Sequence, residues 1–135
     1  MLRGVATVNL WADDLEAAKD WYAELLGVPP YFERRSDDGS PGYFEFRFGD
    51  YQTELGLIDA RYRPPALSSA PGGAVLNWAV DDVHAAFARQ QALGATVVEP
   101  VIERGEGFTT ASVLDPFGNV VGVMANPHYL EVLKG

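Results

Sequence analysis

"NLWADDLEAAKDWYAELLG" (residues 9–27) can be laid over "NWAVDDVHAAFARQQALG" (residues 77–94), and this match decides the fold. At a constant offset Asn9 falls on Asn77, Asp13 and Asp14 on Asp81 and Asp82, Ala17 and Ala18 on Ala85 and Ala86, and Leu25 on Leu93. A single residue is then dropped before Gly27 and Gly94. The similarity continues downstream: "GYFEFRFGD" (42–50) matches "GFTTASVLD" (107–115), and "LGLI" (55–58) matches "VGVM" (121–124). Such self-similarity marks two copies of one supersecondary unit. The halves are module one (1–62) and module two (74–126), joined by the proline- and serine-rich "RPPALSSAPGG" (63–73) and followed by a C-terminal tail (127–135).

Each half opens with a strand, predicted at 5–12 and 74–80, and passes into a helix. Asp14 and Asp82 are natural N-caps, because a carboxylate there accepts from the free N–H groups of the first turn. Leu15, Ala18, Tyr22 and Leu25 form one apolar helix face, as do Val83, Ala86, Phe87 and Leu93 in the second copy. Gly27 and Gly94 supply the left-handed residue that ends each helix. Three strands follow in each half, at about 30–35, 42–48 and 52–59, then 95–103, 107–114 and 119–124. The expected fold class is α+β: two tandem βαβββ modules forming a curved, incomplete barrel around a cleft, with helices outside.

Alternation assigns faces, since neighbouring strand residues point to opposite sides. In "YFEFRF" the phenylalanines Phe44, Phe46 and Phe48 go beneath the helix, which turns Tyr43, Glu45 and Arg47 to the cleft. By the same rule Thr7, Asn9 and Trp11 share the inner face of the first strand, and Gln52, Glu54 and Gly56 that of the fourth. In the second half Val75 and Asn77, then Phe108, Thr110 and Ser112, then Val120, Gly122 and Met124 point inward. A glycine inside a strand, as at Gly122, marks a bulge or a close approach by another group.

The 135 residues fit one domain, and 47% hydrophobic content is enough for a substantial core. No cysteine is present, which removes disulfides, thiolate catalysis and cysteine metal sites together and fits a reducing, cytoplasmic setting. A formal charge of −9 opposes nucleic-acid phosphates, and no apolar run reaches membrane-spanning length, so neither partner is expected. The N-terminal apolar stretch is broken by Asn9 and runs into Asp13 and Asp14, unlike a signal peptide. His84 reads as an exposed helix residue and His128 as part of a tail docked on the body. Trp11 can stack on a ligand, and Trp21 and Trp78 read as core. "EPVIERGEGF" (99–108) reads as an exposed hairpin or a mobile loop beside the cleft.

"ADDLEAAKDWYAELLG" and "DPFGNVVGVM" resemble the strand-to-helix signature and the last hairpin of the vicinal oxygen chelate superfamily, which includes glyoxalase I, extradiol dioxygenases and bleomycin-resistance proteins. The resemblance spans nearly the whole chain. It implies paired modules around a cleft, often in a homodimer, and in the enzymes a divalent metal held by His, Gln or Glu on the first and last strands. Carried onto this sequence, those ligand positions fall on Thr7, Val75, Gly122, and either Gly56 or Glu54. At best one metal ligand survives, so no metal and no cofactor is expected.

Three functions follow from this. The first is a metal-free protein that binds a small organic molecule in the cleft through Thr7, Asn9, Trp11, Tyr43, Glu45, Arg47, Glu54, Asn77, Phe108, Thr110 and Met124. The alternative is a glyoxalase-like lyase, isomerase or dioxygenase whose chemistry rests on Glu45, Glu54, Arg47 or Tyr43. The third is a structural or regulatory dimer without a ligand. Small-molecule binding is the favoured expectation.

Overall fold

In the first half, strand β1 (Thr7–Ala12) leads into helix α1 (Leu15–Leu26), and β2 (Phe32–Arg35), β3 (Pro41–Phe48) and β4 (Thr53–Asp59) follow, closed by a short 3-10 turn at Ala60–Tyr62. The second half repeats this with β5 (Leu76–Ala79), α2 (Val83–Ala92), β6 (Thr96–Gly105), β7 (Phe108–Leu114) and β8 (Val120–Ala125), then adds helix α3 (Pro127–Lys134). The computed structural model describes residues 1–67, 70 and 73–135, so part of the predicted 63–73 connector lies outside the described residues. The chain divides into two units, Met1–Ser68 and Ser69–Gly135. The fold class is α+β, with two four-stranded mixed sheets of order β1-β4-β3-β2 and β5-β8-β7-β6 among the described residues.

Local chemistry places each element. The Asp14 carboxylate accepts from the Ala17 N–H at 3.1 Å, and Asp82 from the Ala85 N–H at 3.0 Å, so both predicted caps form. Gly27 ends α1 with φ 73°, and Gly94, one residue past the end cap of α2, adopts φ 100°. In each sheet the first strand runs parallel to the last and the remaining pairs are antiparallel.

The first core lies between α1 and its sheet. Phe44 and Phe46 are fully buried, with Leu55 and Leu57 on the neighbouring strand and Leu15, Ala18 and Tyr22 on the helix. Each phenylalanine contributes roughly 1.5–3 kcal/mol by leaving water. Phe48 is only half-buried, near the strand end. The second core gathers Val83, Ala111 and Val123, with Ala86, Phe87 and Val101 packed against them.

Three local expectations need correction. β1 begins at Thr7, not at residue 5, and β5 covers only Leu76–Ala79 of the predicted 74–80. Gln52 is not on the fourth strand: it adopts φ 52° in the β3–β4 turn, where its side-chain amide donates to the Gly49 carbonyl at 3.0 Å. "EPVIERGEGF" forms the exposed hairpin, one of its two readings: β6 runs to Gly105, beyond the predicted strand end at 103, and a tight turn with Glu106 at φ 55° and Gly107 at φ 86° leads into β7. Register shifts on either side of Glu99 and again before Gly105 let this strand continue past Pro100. The tail is a helix, capped by Asn126 accepting from the Tyr129 N–H at 3.1 Å.

Candidate functional site

The registers set out the sheet face turned away from α1 row by row. Thr7, Glu54 and Arg47 lie side by side across β1, β4 and β3; the next row is Asn9, Gly56, Glu45 and Phe32; the next is Trp11, Ile58, Tyr43 and Arg34. Seven sequence-predicted residues therefore share one face. Five of them join in a single polar network: Thr7 donates to Glu54 at 3.3 Å, the Arg47 guanidinium donates to Glu54 at 2.9 and 3.1 Å, and Tyr43 donates to Glu45 at 2.6 Å. Asn9 lies over Gly56 beside Tyr43. The Arg63 guanidinium lies 5.9 Å from the Trp11 ring centroid.

Sequence reasoning missed the residue that links the two carboxylates. The Tyr31 hydroxyl donates to Glu45 and lies 3.3 Å from Glu54, while the Arg47 guanidinium sits 4.2 Å from the Tyr31 ring centroid. Strict alternation from Phe32 would send Tyr31 to the other face, but Tyr31 precedes the strand and its phenol comes round to Glu45. The Tyr31 N–H donation to the Glu45 carbonyl at 2.9 Å fixes this approach.

These contacts set the protonation states. The Arg47 hydrogen bonds hold the Glu54 carboxyl below the usual range, so it stays ionised. The Glu45 hydrogen bond, with partial desolvation, pushes Tyr31 up to about 12. Burial, reinforced by the hydrogen bond to Glu45, raises Tyr43 as well. Both phenols are thus fixed as neutral donors.

In the second unit the equivalent row is Asn77, Gly122, Ser112 and Glu99, and the next is Ala79, Met124, Thr110 and Ile102. This face holds a recess of about 560 Å³ walled by Val75, Val98, Leu114 and Val120, with Asn77, Thr110, Ser112, Glu99 and Arg104 as its polar groups. Arg104 bridges Glu99 at 2.8 Å and Thr110 at 3.2 Å. Of the predicted residues, Asn77 and Thr110 line the recess and Phe108 and Met124 do not. Phe108 packs on the His128 ring, centroids 5.3 Å apart, and Met124 meets the Asn126 amide at 3.8 Å. Glu99, Arg104 and Ser112 were not predicted as ligand contacts, although Ser112 was expected on this face; Glu99 and Arg104 join it through their places on β6.

Both mid-strand glycines answer to space. Neither adopts a left-handed φ, and the β7–β8 register runs unbroken through Gly122, so no bulge is involved. A Cβ on Gly122 would meet the Asn77 side-chain oxygen at 2.2 Å and the Leu76 carbonyl at 3.0 Å. On Gly56 it would meet the Asn9 side-chain oxygen at 2.3 Å and the Tyr43 hydroxyl at 2.8 Å. Each glycine faces an asparagine on the parallel strand, Asn9 with Gly56 and Asn77 with Gly122, which makes Gly56 the counterpart of Gly122. Among the described residues no group of three or more His, Cys, Asp or Glu side chains could hold a metal ion.

With tandem βαβββ units and polar rows on the sheet faces, residues 4–123 match the family model of the Glyoxalase/Bleomycin resistance protein/Dioxygenase superfamily. The chain belongs to this superfamily. A glyoxalase-related enzyme from Fulvimarina pelagi is similar over 93% of this chain and 90% of its own, with 25% identity and a TM-score of 0.73. Protein ATC0852 from Agrobacterium tumefaciens also shows 25% identity and a TM-score of 0.73, over 92% of this chain and 98% of its own. Lactoylglutathione lyase from Agrobacterium tumefaciens, at 24% identity, shares the fold with a TM-score of 0.67 over 96% of this chain and 98% of its own. No curated protein matches.

Proposed function

We propose that this chain binds a small, largely apolar organic molecule and does so without the divalent metal used by enzymes of its superfamily. The observation that carries the reading is the recess on the second sheet: about 560 Å³, mostly apolar walls, and a few placed polar groups. That is the size and lining of a small-molecule site. The donor positions implied by resemblance hold Thr7, Val75, Gly122 and either Gly56, the counterpart of Gly122, or Glu54, so that at most one carboxylate and one hydroxyl are offered, and that carboxylate is already held by Arg47. The Thr7 hydroxyl already donates to Glu54, and an asparagine side chain occupies the space a carboxylate would need at either glycine. This donor set does not fit a catalytic divalent ion.

The polar network of the first unit supports binding over turnover. Glu54 is satisfied by Arg47 and Thr7, and Glu45 by two phenols, before any substrate arrives. The same reading makes the chain a homodimer, since β6 is an edge strand exposing Val97 and Val98.

The test is metal analysis of the purified protein, with titration of aromatic compounds followed by tryptophan fluorescence in the presence and absence of a chelator. Binding unchanged by the chelator is expected. Stoichiometric bound zinc, nickel, iron or manganese, or binding lost on chelation and restored by metal, would overturn the proposal.

A further inference from the structure

We infer that Asn77, seated on Gly122, reads the ligand of the second unit's recess, and that this ligand is a neutral, largely apolar compound presenting a carbonyl oxygen. The inference rests on the recess being a ligand site, and names what that site selects. Asn77 is exposed on the recess wall, yet its side-chain oxygen is turned in over Gly122, 2.2 Å from where a Cβ would stand. An oxygen held against the sheet leaves the amide N–H groups as the outward edge. Among the described residues nothing hydrogen-bonds to that amide. A carboxamide presented by its N–H edge recognises an acceptor.

The rest of the recess narrows the class. Its two charges cancel, because Arg104 lies 2.8 Å from Glu99 and also holds Thr110, so no net charge is offered to an ion. Ser112 is 8% exposed and its hydroxyl forms no hydrogen bond within the described residues, which places a second neutral polar group in the same row as Asn77 and Gly122. Valines and a leucine make up the walls.

The first unit shows why the second is the reading half. It repeats the asparagine over glycine, but there the Tyr43 hydroxyl also crowds Gly56, 2.8 Å from its Cβ position. The residue beside Gly56 is Glu45, tied to two phenols, where the second unit has the small Ser112 beside Gly122. One copy is filled by its own side chains, and the other is left open and neutral.

The experiment uses 1-indanone and indane, flat bicyclic compounds that differ by a carbonyl in place of a methylene. Both are titrated into the full-length 15N-labelled chain, with affinity read from recess resonances and the Asn77 side-chain amide followed directly. Indanone should bind on the order of tenfold more tightly than indane, the worth of one hydrogen bond, and should shift the Asn77 amide. Asn77→Ala and Asn77→Asp should each abolish the preference, and so should Gly122→Ala, which pushes the carboxamide off its seat. Equal binding of the two compounds, or a preference that survives Asn77→Asp, would overturn the inference while leaving the recess a ligand site. If neither compound shifts any recess resonance, the recess as a ligand site falls, and the inference with it.

Discussion

Gly56 shows how much one missing side chain can organise. Because no Cβ stands there, Asn9 can lie across β4 and the Tyr43 hydroxyl can reach Glu45 at 2.6 Å. Gly56→Ala should therefore destabilise by about 1–3 kcal/mol, the usual cost of overpacking, read as a lower urea midpoint. Combining it with Asn9→Ala should recover only part of the loss, since Tyr43 is still displaced. Titration tests the same network. Glu54 is depressed in the folded state, so its contribution to stability is present above the ordinary carboxylate range and lost as pH falls through the lowered value. Tyr31 is raised from 10.0 to about 12, so its contribution is present below about 10 and lost as pH rises through about 12. Denaturation midpoints measured against pH should show a shallower acid slope in Glu54→Gln and a shallower alkaline slope in Tyr31→Phe, the remainder coming from other shifted groups such as Tyr43. Slopes matching the parent chain in both variants would refute the network as drawn.

At the scale of elements, short polar devices set where strands and helices begin. The buried Asp115 carboxylate accepts from the Phe117 and Asn119 N–H groups at 2.9 and 2.8 Å and from the Asn119 side chain at 3.0 Å, which closes the β7–β8 hairpin. Asp115→Ala leaves those donors unmet inside the turn and should cost more than Asp14→Ala, which removes one N-cap worth about 1 kcal/mol. Parallel urea curves for the two variants check the order; equal losses would mean that the hairpin does not depend on Asp115. The β3–β4 turn is closed differently, by Gly49 at φ 77° and Gln52 at φ 52°, and so the repeat is not copied at every corner.

At the scale of the whole molecule, the proposal is tested by assembly and by metal content. Sedimentation at micromolar concentration should give a dimer; a species of only 14.7 kDa would remove the homodimer from the proposal. Among the described residues no helix is long and apolar enough to cross a membrane. Thermal unfolding should be indifferent to chelation, because a resident metal present at a hundred times its dissociation constant would add about 2.7 kcal/mol that a chelator would strip away.

The sequence by itself determined the tandem βαβββ plan, both helix caps, and the side of the sheet on which Phe44, Phe46, Glu45 and Arg47 lie. Those features are written in periodicity and in residues that cap or turn the chain locally, and such effects act within a few positions. Only the tertiary structure decided what lies over the two mid-strand glycines, because Asn9 over Gly56 and Asn77 over Gly122 are contacts between strands far apart in sequence, set by register. Register also brought Tyr31 to Glu45 and Glu54, and set Glu99 and Arg104 beside Ser112 and Thr110 in the recess. A strand's alternation says which face a side chain takes; which groups it meets there depends on the neighbouring strand, and that pairing is decided only when the sheet forms.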